Sequence, residues 1–125
     1  MPKSTRARIG SYRDLDVWQA AMDIVVEIYR VTGEFPAEER FGLIAQLRRA
    51  AVAIPSNIAE GRNRLGAAEF RRFVSIARGS VAEVETQLAV AVALCFVRAE
   101  KIASLSSRLD DLSKMLFGLH RRLAP

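Results

Sequence analysis

Apolar residues recur at alternating intervals of three and four through the last part of the chain. They are Ile102, Leu105, Leu109, Leu112, Leu116, Leu119 and Leu123. An α-helix turns by about 100° per residue, so this spacing places all of these side chains in one stripe. Stripes of this period are buried where helices pack lengthwise at about 20°. We therefore predict a helix over residues 99–123 that packs along other helices.

Three earlier segments have the same kind of periodicity. We predict helices over residues 15–32, 37–60 and 67–97. Short connections make successive helices antiparallel neighbours. A chain of 125 residues suits one domain of ordinary size. The sequence therefore predicts an all-α protein, in which residues 14–125 form one antiparallel up-and-down four-helix bundle.

Individual residues predict where these helices begin, bend and end. Asp14 is the expected N-cap of the first helix, and Gly33 and Gly61 are the expected ends of the first and second helices. Pro55 lies inside the second helix, where proline costs about 3 kcal/mol. Because the apolar pattern resumes in phase at Ile58, we expect a kink there and not a break.

The chain is basic, with 19 Lys and Arg against 14 Asp and Glu, a net charge of +5 and a pI near 10.1. This balance permits binding to polyanions. Residues 1–13 include four basic residues and no acidic one, which predicts a flexible basic tail.

The longest apolar run, Leu88–Val97, is about half the length that a membrane span needs. The N-terminus has no apolar signal core. We expect a soluble, cytoplasmic protein. The single cysteine, Cys95, lies in this apolar run, which predicts a buried, inert thiol.

The first and third predicted helices have more apolar surface than one buried face needs. The third helix has a second stripe of small, mostly uncharged residues opposite its core stripe. This stripe consists of Ala68, Ser75, Gly79, Ala82, Thr86, Val90 and Ala93. Such a surface predicts a homo-oligomer, in which copies of the chain cover one another. The alternative is an alanine-rich surface exposed to solvent.

The sequence has few residues that could form a catalytic or metal site. His120 is the only histidine and Cys95 the only cysteine. Carboxylate-bridged dimetal sites need Glu-x-x-His pairs, and zinc needs several Cys or His ligands. No glycine-rich phosphate loop occurs. The sequence thus predicts no cofactor, no metal and no enzymatic activity.

Arginines are the remaining candidates for a functional site. In an up-and-down bundle, the start of the third helix and the ends of the second and fourth helices share one end of the molecule. We therefore expect one basic surface there, able to bind nucleic acid. It would contain Arg62, Arg64, Arg71, Arg72, Arg121 and Arg122. The alternative is a solvated surface without a ligand.

Four segments carry a resemblance to a known family. They are Tyr12–Trp18 (YRDLDVW), Gln46–Ala50 (QLRRA), Ile54–Gly61 (IPSNIAEG) and Ala77–Ser80 (ARGS), the last followed by two glutamates. Together they resemble the four-helix-bundle proteins encoded in intervening sequences of bacterial large-subunit ribosomal RNA genes. The resemblance is strong over residues 11–97 and weak over the last helix.

Members of that family are similar to the accessory variability determinant of diversity-generating retroelements. The resemblance implies a ring-shaped homopentamer and, less directly, binding of nucleic acid or of a reverse transcriptase. It implies no enzyme activity. Its motifs fall on Gln46, Arg49, Asn57, Glu60, Gly79 and Ser80, which we expect to act in folding and assembly. The family pattern often has serine where this chain has Ala53, so a polar contact of that serine is lost.

Two roles follow for these motif residues. Asn57 and Glu60 flank the proline and are expected to satisfy backbone groups that it leaves without partners. Arg49 and Glu60 are expected to pair with each other or across a subunit boundary.

Three hypotheses of function remain open. The first is an oligomeric scaffold that binds RNA or DNA through its arginines and basic tail. The second is an adaptor that recruits a partner protein, such as a reverse transcriptase, through the acidic strip of the first helix. The third, a hydrolase, lacks a recognisable nucleophile and base.

Overall fold

The computed structural model describes residues 11–125, and within this range it contains four α-helices and no strand. The helices are α1 (Asp16–Thr32), α2 (Leu43–Asn63), α3 (Ala67–Ala93) and α4 (Ala103–Arg122). Short 3-10 turns precede three of them, at Tyr12–Asp14, Ala37–Glu39 and Ala99–Ile102. The predicted all-α class is therefore confirmed. The predicted tail lies mostly outside the described residues.

Each helix contributes one side to a single hydrophobic core. Consecutive helices pack against each other, and α1 also contacts α4, which closes the arrangement. The predicted stripe of the last helix is buried from Ile102 to Leu116, and Leu109, Leu112 and Leu116 are fully inaccessible. Leu119 and Leu123 are only partly buried. None of the helices in this described part is long and apolar enough to cross a bilayer.

Two sets of contacts define the two ends of the molecule. At one end the α1–α2 connection meets the α3–α4 connection, because Lys101 Nζ lies 3.0 Å from Glu34 Oε1 and the rings of Phe35 and Phe96 pack with centroids 6.0 Å apart. At the other end, Arg71 in the second turn of α3 donates from Nε to the backbone oxygen of His120 in α4. We call these the connection end and the arginine end.

α1 and α2 begin later than predicted because of the backbone conformation just before them. α1 begins after Leu15 and not after Asp14, which ends the preceding 3-10 turn, while Gly33 follows α1 as predicted.

α2 begins at Leu43 and not near residue 37, because Gly42 breaks the helical backbone with φ −107° and ψ −113°. The carboxylate of Glu39 then accepts a hydrogen bond from the Leu43 amide at 3.1 Å, which satisfies a free donor of the new helix.

The predictions for the end of α3 and for Cys95 were wrong for the same reason. α3 ends at Ala93, and Cys95 adopts a left-handed conformation with φ +64°. The amides of Cys95 and Phe96 donate to the carbonyls of Val92 and Ala91, the pattern of a Schellman C-terminus. Cys95 is therefore in the turn and exposed, not buried in a continuing helix.

α2 runs without interruption through Pro55, so the helix does continue as the apolar phase predicted. Proline removes the hydrogen bond to the carbonyl four residues earlier, which is that of Ala51. Asn57 instead donates from Nδ2 to the oxygen of Ala53 at 2.8 Å. The expectation that Asn57 replaces the bond lost at Pro55 was therefore wrong, although its side chain does bond to the neighbouring backbone.

Gly61 lies inside α2, two residues before its end, and is in tight contact with α3. A Cβ atom built on Gly61 would lie 2.5 Å from Cβ of Phe73 and 3.3 Å from Cδ1 of Phe70. Real Cβ atoms do not approach one another so closely. The glycine is therefore needed for contact between helices and not as a helix end.

We predict that Gly61→Ala lowers the free energy of unfolding by about 1–3 kcal/mol, since the added methyl group forces α3 away from α2. The matched control is Gly118→Ala in α4, where the nearest atom to an added Cβ is Arg122 Nη1 at 3.6 Å. That control should gain up to about 1 kcal/mol from helix propensity. Urea unfolding followed by circular dichroism measures both. A Gly61→Ala protein as stable as the parent would contradict the close approach.

Candidate nucleic-acid interface

The six arginines predicted to form one basic surface all lie at the arginine end. The contact between Arg71 and His120 brings the start of α3 to the last turn of α4, and the α2–α3 connection lies at the same end. The contacts of the six side chains nevertheless divide them into separate groups.

Arg64 and Arg72 form one group, near Phe73. Their guanidinium carbons lie 5.1 and 4.8 Å from the centre of the buried Phe73 ring. Arg64 pairs with Glu60 at 2.7 Å, and Arg72 contacts Glu69 at 3.4 Å. The hydrogen bond to Glu60 raises the pKa of Arg64. Because acids already neutralise both side chains, this group is a weak candidate for phosphate binding.

Arg122 and Arg62 have other surroundings. Arg122 lines a depression between α1 and α4 together with Asp14, Asp16 and Lys114. Arg62 is half-buried in the last turn of α2. All six residues therefore lie at the same end of the molecule, and one continuous surface formed by them stays a prediction.

Arg71 and Arg121 belong to a row of residues in the groove between α3 and α4. Arg71 Nε donates to the His120 oxygen at 3.2 Å. One heptad further along α3, Arg78 Nε donates to the backbone oxygen and to Oγ of Ser113, both at 3.3 Å. The half-exposed ring of Phe117 lies near Arg78 and Arg121, whose guanidinium carbons are 4.9 and 5.9 Å from its centre. We call Arg71, Arg78, Phe117 and Arg121 the α3–α4 cluster.

Sequence reasoning missed Arg78 and Phe117. The signal was present in their spacing, because Arg78 follows Arg71 by seven residues and Phe117 precedes Arg121 by four. Both spacings place side chains on the same side of a helix. Within residues 11–125, no carboxylate lies within ion-pair distance of the three arginines of the cluster.

The charge of this row reverses one heptad further on. Glu85 follows Arg78 by seven residues, and partial burial together with the charge of Asp110 in α4 raises its pKa. The α3–α4 groove is therefore basic from Arg71 to Arg78 and acidic beyond.

Comparison with known proteins decides the family. The family model described as 23S rRNA-intervening sequence protein matches residues 13–118. The chain belongs to this family. It also has the fold of a protein with unknown function from the S23 ribosomal protein family of Bacteroides thetaiotaomicron VPI-5482, with a TM-score of 0.74 and 20% identity. The match covers 83% of this chain and 97% of that one. No curated protein matches the chain in sequence.

The motif residues that carry the family resemblance have different environments. Gln46, Arg49, Glu60 and Gly79 are exposed on the single chain, and Asn57 is half-buried. Ser80, expected to act in folding or assembly, is buried within the chain at 9% exposure. Glu60 pairs with Arg64 one turn away, while Arg49 is eleven residues back along α2, roughly 16 Å. Pairing of Arg49 with Glu60 inside one chain was therefore wrong.

Two apolar surfaces of this family member remain uncovered in the single chain. The second stripe of α3 is exposed along its whole length, and an added Cβ on Gly79 would meet no atom within 4 Å. A groove between α1 and α2 is lined by Trp18, Met22 and Val52, among others. Met22 and Val52 are 38% and 40% exposed.

Residues with catalytic potential are not brought together. Cys95 lies at the connection end and His120 in the last turn of α4, roughly 25 Å apart at 1.5 Å per residue. No group of three or more metal-ligating side chains occurs in the part of the chain that the structure describes.

We predict that Glu85→Gln raises the free energy of unfolding at pH 7 by a few tenths of a kcal/mol, a small effect because solvent screens the pair. A carboxyl with a raised folded-state pKa favours the folded state when protonated. Ionisation of Glu85 therefore lowers the free energy of unfolding as the pH rises from its ordinary pKa near 4.5 through its raised folded-state pKa. Below pH 4.5 the gain in the variant should vanish.

The control is Glu83→Gln, which removes the same charge from an exposed position of the same helix. Urea unfolding at pH 7 and pH 4 measures both variants. A gain for Glu85→Gln that persists at pH 4, or that Glu83→Gln matches, would contradict this assignment.

Proposed function

We propose that the protein is a non-enzymatic scaffold that binds RNA or DNA through its arginine end. The supporting observation is the unequal distribution of charge between the two ends. The arginine end carries all six predicted arginines, accompanied by Asp14, Asp16, Glu60 and Glu69. At the connection end, the basic Arg40, Arg98 and Lys101 are accompanied by Glu34, Glu38, Glu39 and Glu100.

Two properties of the α3–α4 cluster favour a polyanion as the ligand. Its arginines have no acid partner among the described residues, and two of them are held in place by backbone carbonyls of α4. Fixed guanidinium groups lose little conformational entropy when they bind phosphate. Phosphate contacts release counterions, so such binding weakens steeply as salt increases.

The test is a fluorescence anisotropy titration with labelled RNA and DNA at several salt concentrations. The double variant Arg71→Ala/Arg121→Ala should bind more weakly and lower the slope of log K against log salt by roughly 1.5, the value for two lost phosphate contacts. The charge-matched control, Arg40→Ala/Arg98→Ala, removes two arginines from the connection end and should change the slope little. Absence of binding by the parent protein at low salt would refute the proposal.

We further propose that the helices are arranged as an antiparallel up-and-down bundle and that copies of the chain associate side by side in a ring. α1 and α3 both end at the connection end, whereas α2 and α4 both end at the arginine end, and this alternation favours the first statement. The exposed second stripe of α3 and the apolar α1–α2 groove favour the second, since exposed apolar patches mark interaction sites. The resemblance suggests five subunits.

Gly79→Leu should dissociate this assembly while leaving helical content intact. The single chain has room for the larger side chain, because nothing lies within 4 Å of an added Cβ, so a loss of assembly would reflect a contact between chains. Sedimentation velocity and circular dichroism measure the two properties. An unchanged sedimentation coefficient would exclude this stripe from the interface.

A second candidate function is an adaptor for a basic partner protein, for example a reverse transcriptase. Asp16 and Asp23 on α1 are exposed, and Asp23 shares a depression with Asp111 of α4. This acidic strip complements a basic surface. Capture of such a partner that survives nuclease treatment would favour the adaptor over the nucleic-acid scaffold.

A further inference from the structure

The ring of Phe117 is an aromatic surface that the fold does not use for its core. It is 46% exposed, although its neighbour Leu116 is fully buried. The guanidinium groups of Arg78 and Arg121 are the cations near it. An exposed apolar ring with two cations near it can take part in stacking with a planar ligand, and the cations attract negative charge to the same place.

The arginines of the α3–α4 cluster are held so that their terminal nitrogens stay available. A guanidinium group has five N–H donors. Arg71 and Arg78 each use Nε to bond to α4, at the carbonyls of His120 and Ser113. The four N–H groups on the two terminal nitrogens of each side chain remain for a ligand. The two anchors are seven residues apart, which is roughly 10 Å along the helix.

The acidic residues beyond Arg78 limit the length of the basic surface in the α3–α4 groove. Beyond Arg78 the next position of the row is Glu85, which lies near Asp110. A polyanion in the groove is therefore attracted over the two helical turns between Arg71 and Arg78 and repelled farther along. A site of this length suits a few nucleotides and not an extended duplex.

We propose that the α3–α4 cluster binds a short stretch of single-stranded nucleic acid, with an unpaired base stacked at Phe117 and neighbouring phosphates bound by Arg71 and Arg78. This inference rests on the proposed nucleic-acid binding and names its ligand class. In a duplex, both faces of each base are covered by its neighbours. Only an unpaired base can stack on a protein ring or on the plane of a guanidinium group.

The test compares three labelled probes of equal length by anisotropy, using the full chain. They are a single-stranded oligonucleotide, the same strand with its bases replaced by abasic sites, and a duplex. The abasic strand keeps every phosphate and loses every stacking partner. We expect it and the duplex to bind about tenfold more weakly than the intact strand, the effect of about one stacked base.

The decisive variant is Phe117→Leu, which keeps an apolar side chain and removes the ring. It should lower affinity for the intact strand by about tenfold and leave affinity for the abasic strand unchanged. The matched control is Phe41→Leu, because Phe41 is 89% exposed and has Arg40 at 5.4 Å from its ring centre, but lies in the α1–α2 connection. Circular dichroism and sedimentation check that both variants fold and assemble as the parent does.

Each contrary outcome has a separate meaning. Equal binding of the intact and abasic strands would overturn the stacking inference and leave nucleic-acid binding intact. Equal losses in Phe41→Leu and Phe117→Leu would place the stacking site elsewhere and overturn the assignment. Competition by polyglutamate as effective as that by the intact strand would point to an acidic protein ligand. No binding of any probe at low salt would refute the proposed function itself.

Discussion

The close contact between α2 and α3 determines how the rest of the chain can be arranged. The two helices approach at Gly61, where the ring and Cβ of Phe73 occupy the space that any other side chain would need. α2 and α3 have the most extensive contact of any helix pair. Once these helices are fixed, α1 and α4 can bury their apolar stripes only by completing the same core. The family motif that ends at Gly61 thus has a packing reason, which is independent of any ligand.

Helical periodicity was sufficient to predict the fold class and the core. The α4 stripe and the phase of α2 across Pro55 were predicted correctly, because a regular spacing of three and four is typical of a helix with one buried side. Helix ends were predicted less well. The ends at Gly42 and Cys95 depend on single backbone conformations, and a cysteine in a left-handed turn gives no sequence signal, since glycine usually occupies that position.

The candidate site was only partly predictable. The positions of the six arginines along their helices were enough to predict that they lie at one end of the molecule. They were not enough to predict the direction of each side chain or the acid with which it pairs. Arg64 and Arg72 have local glutamate partners three or four residues away, a spacing that is visible in the sequence. The role of Arg78 depends instead on Ser113 and Phe117, which are distant in sequence, so it needed the structure.

The unequal ends of the molecule also bear on how it would meet a ligand in solution. A body with most of its uncompensated positive charge at one tip has a large electric dipole along its length. Near a polyanion such a body experiences a torque before any contact forms, and it turns its positive tip forward. Productive orientation would then be selected during diffusion, so encounter rates should exceed those of a molecule with the same net charge spread evenly over its surface.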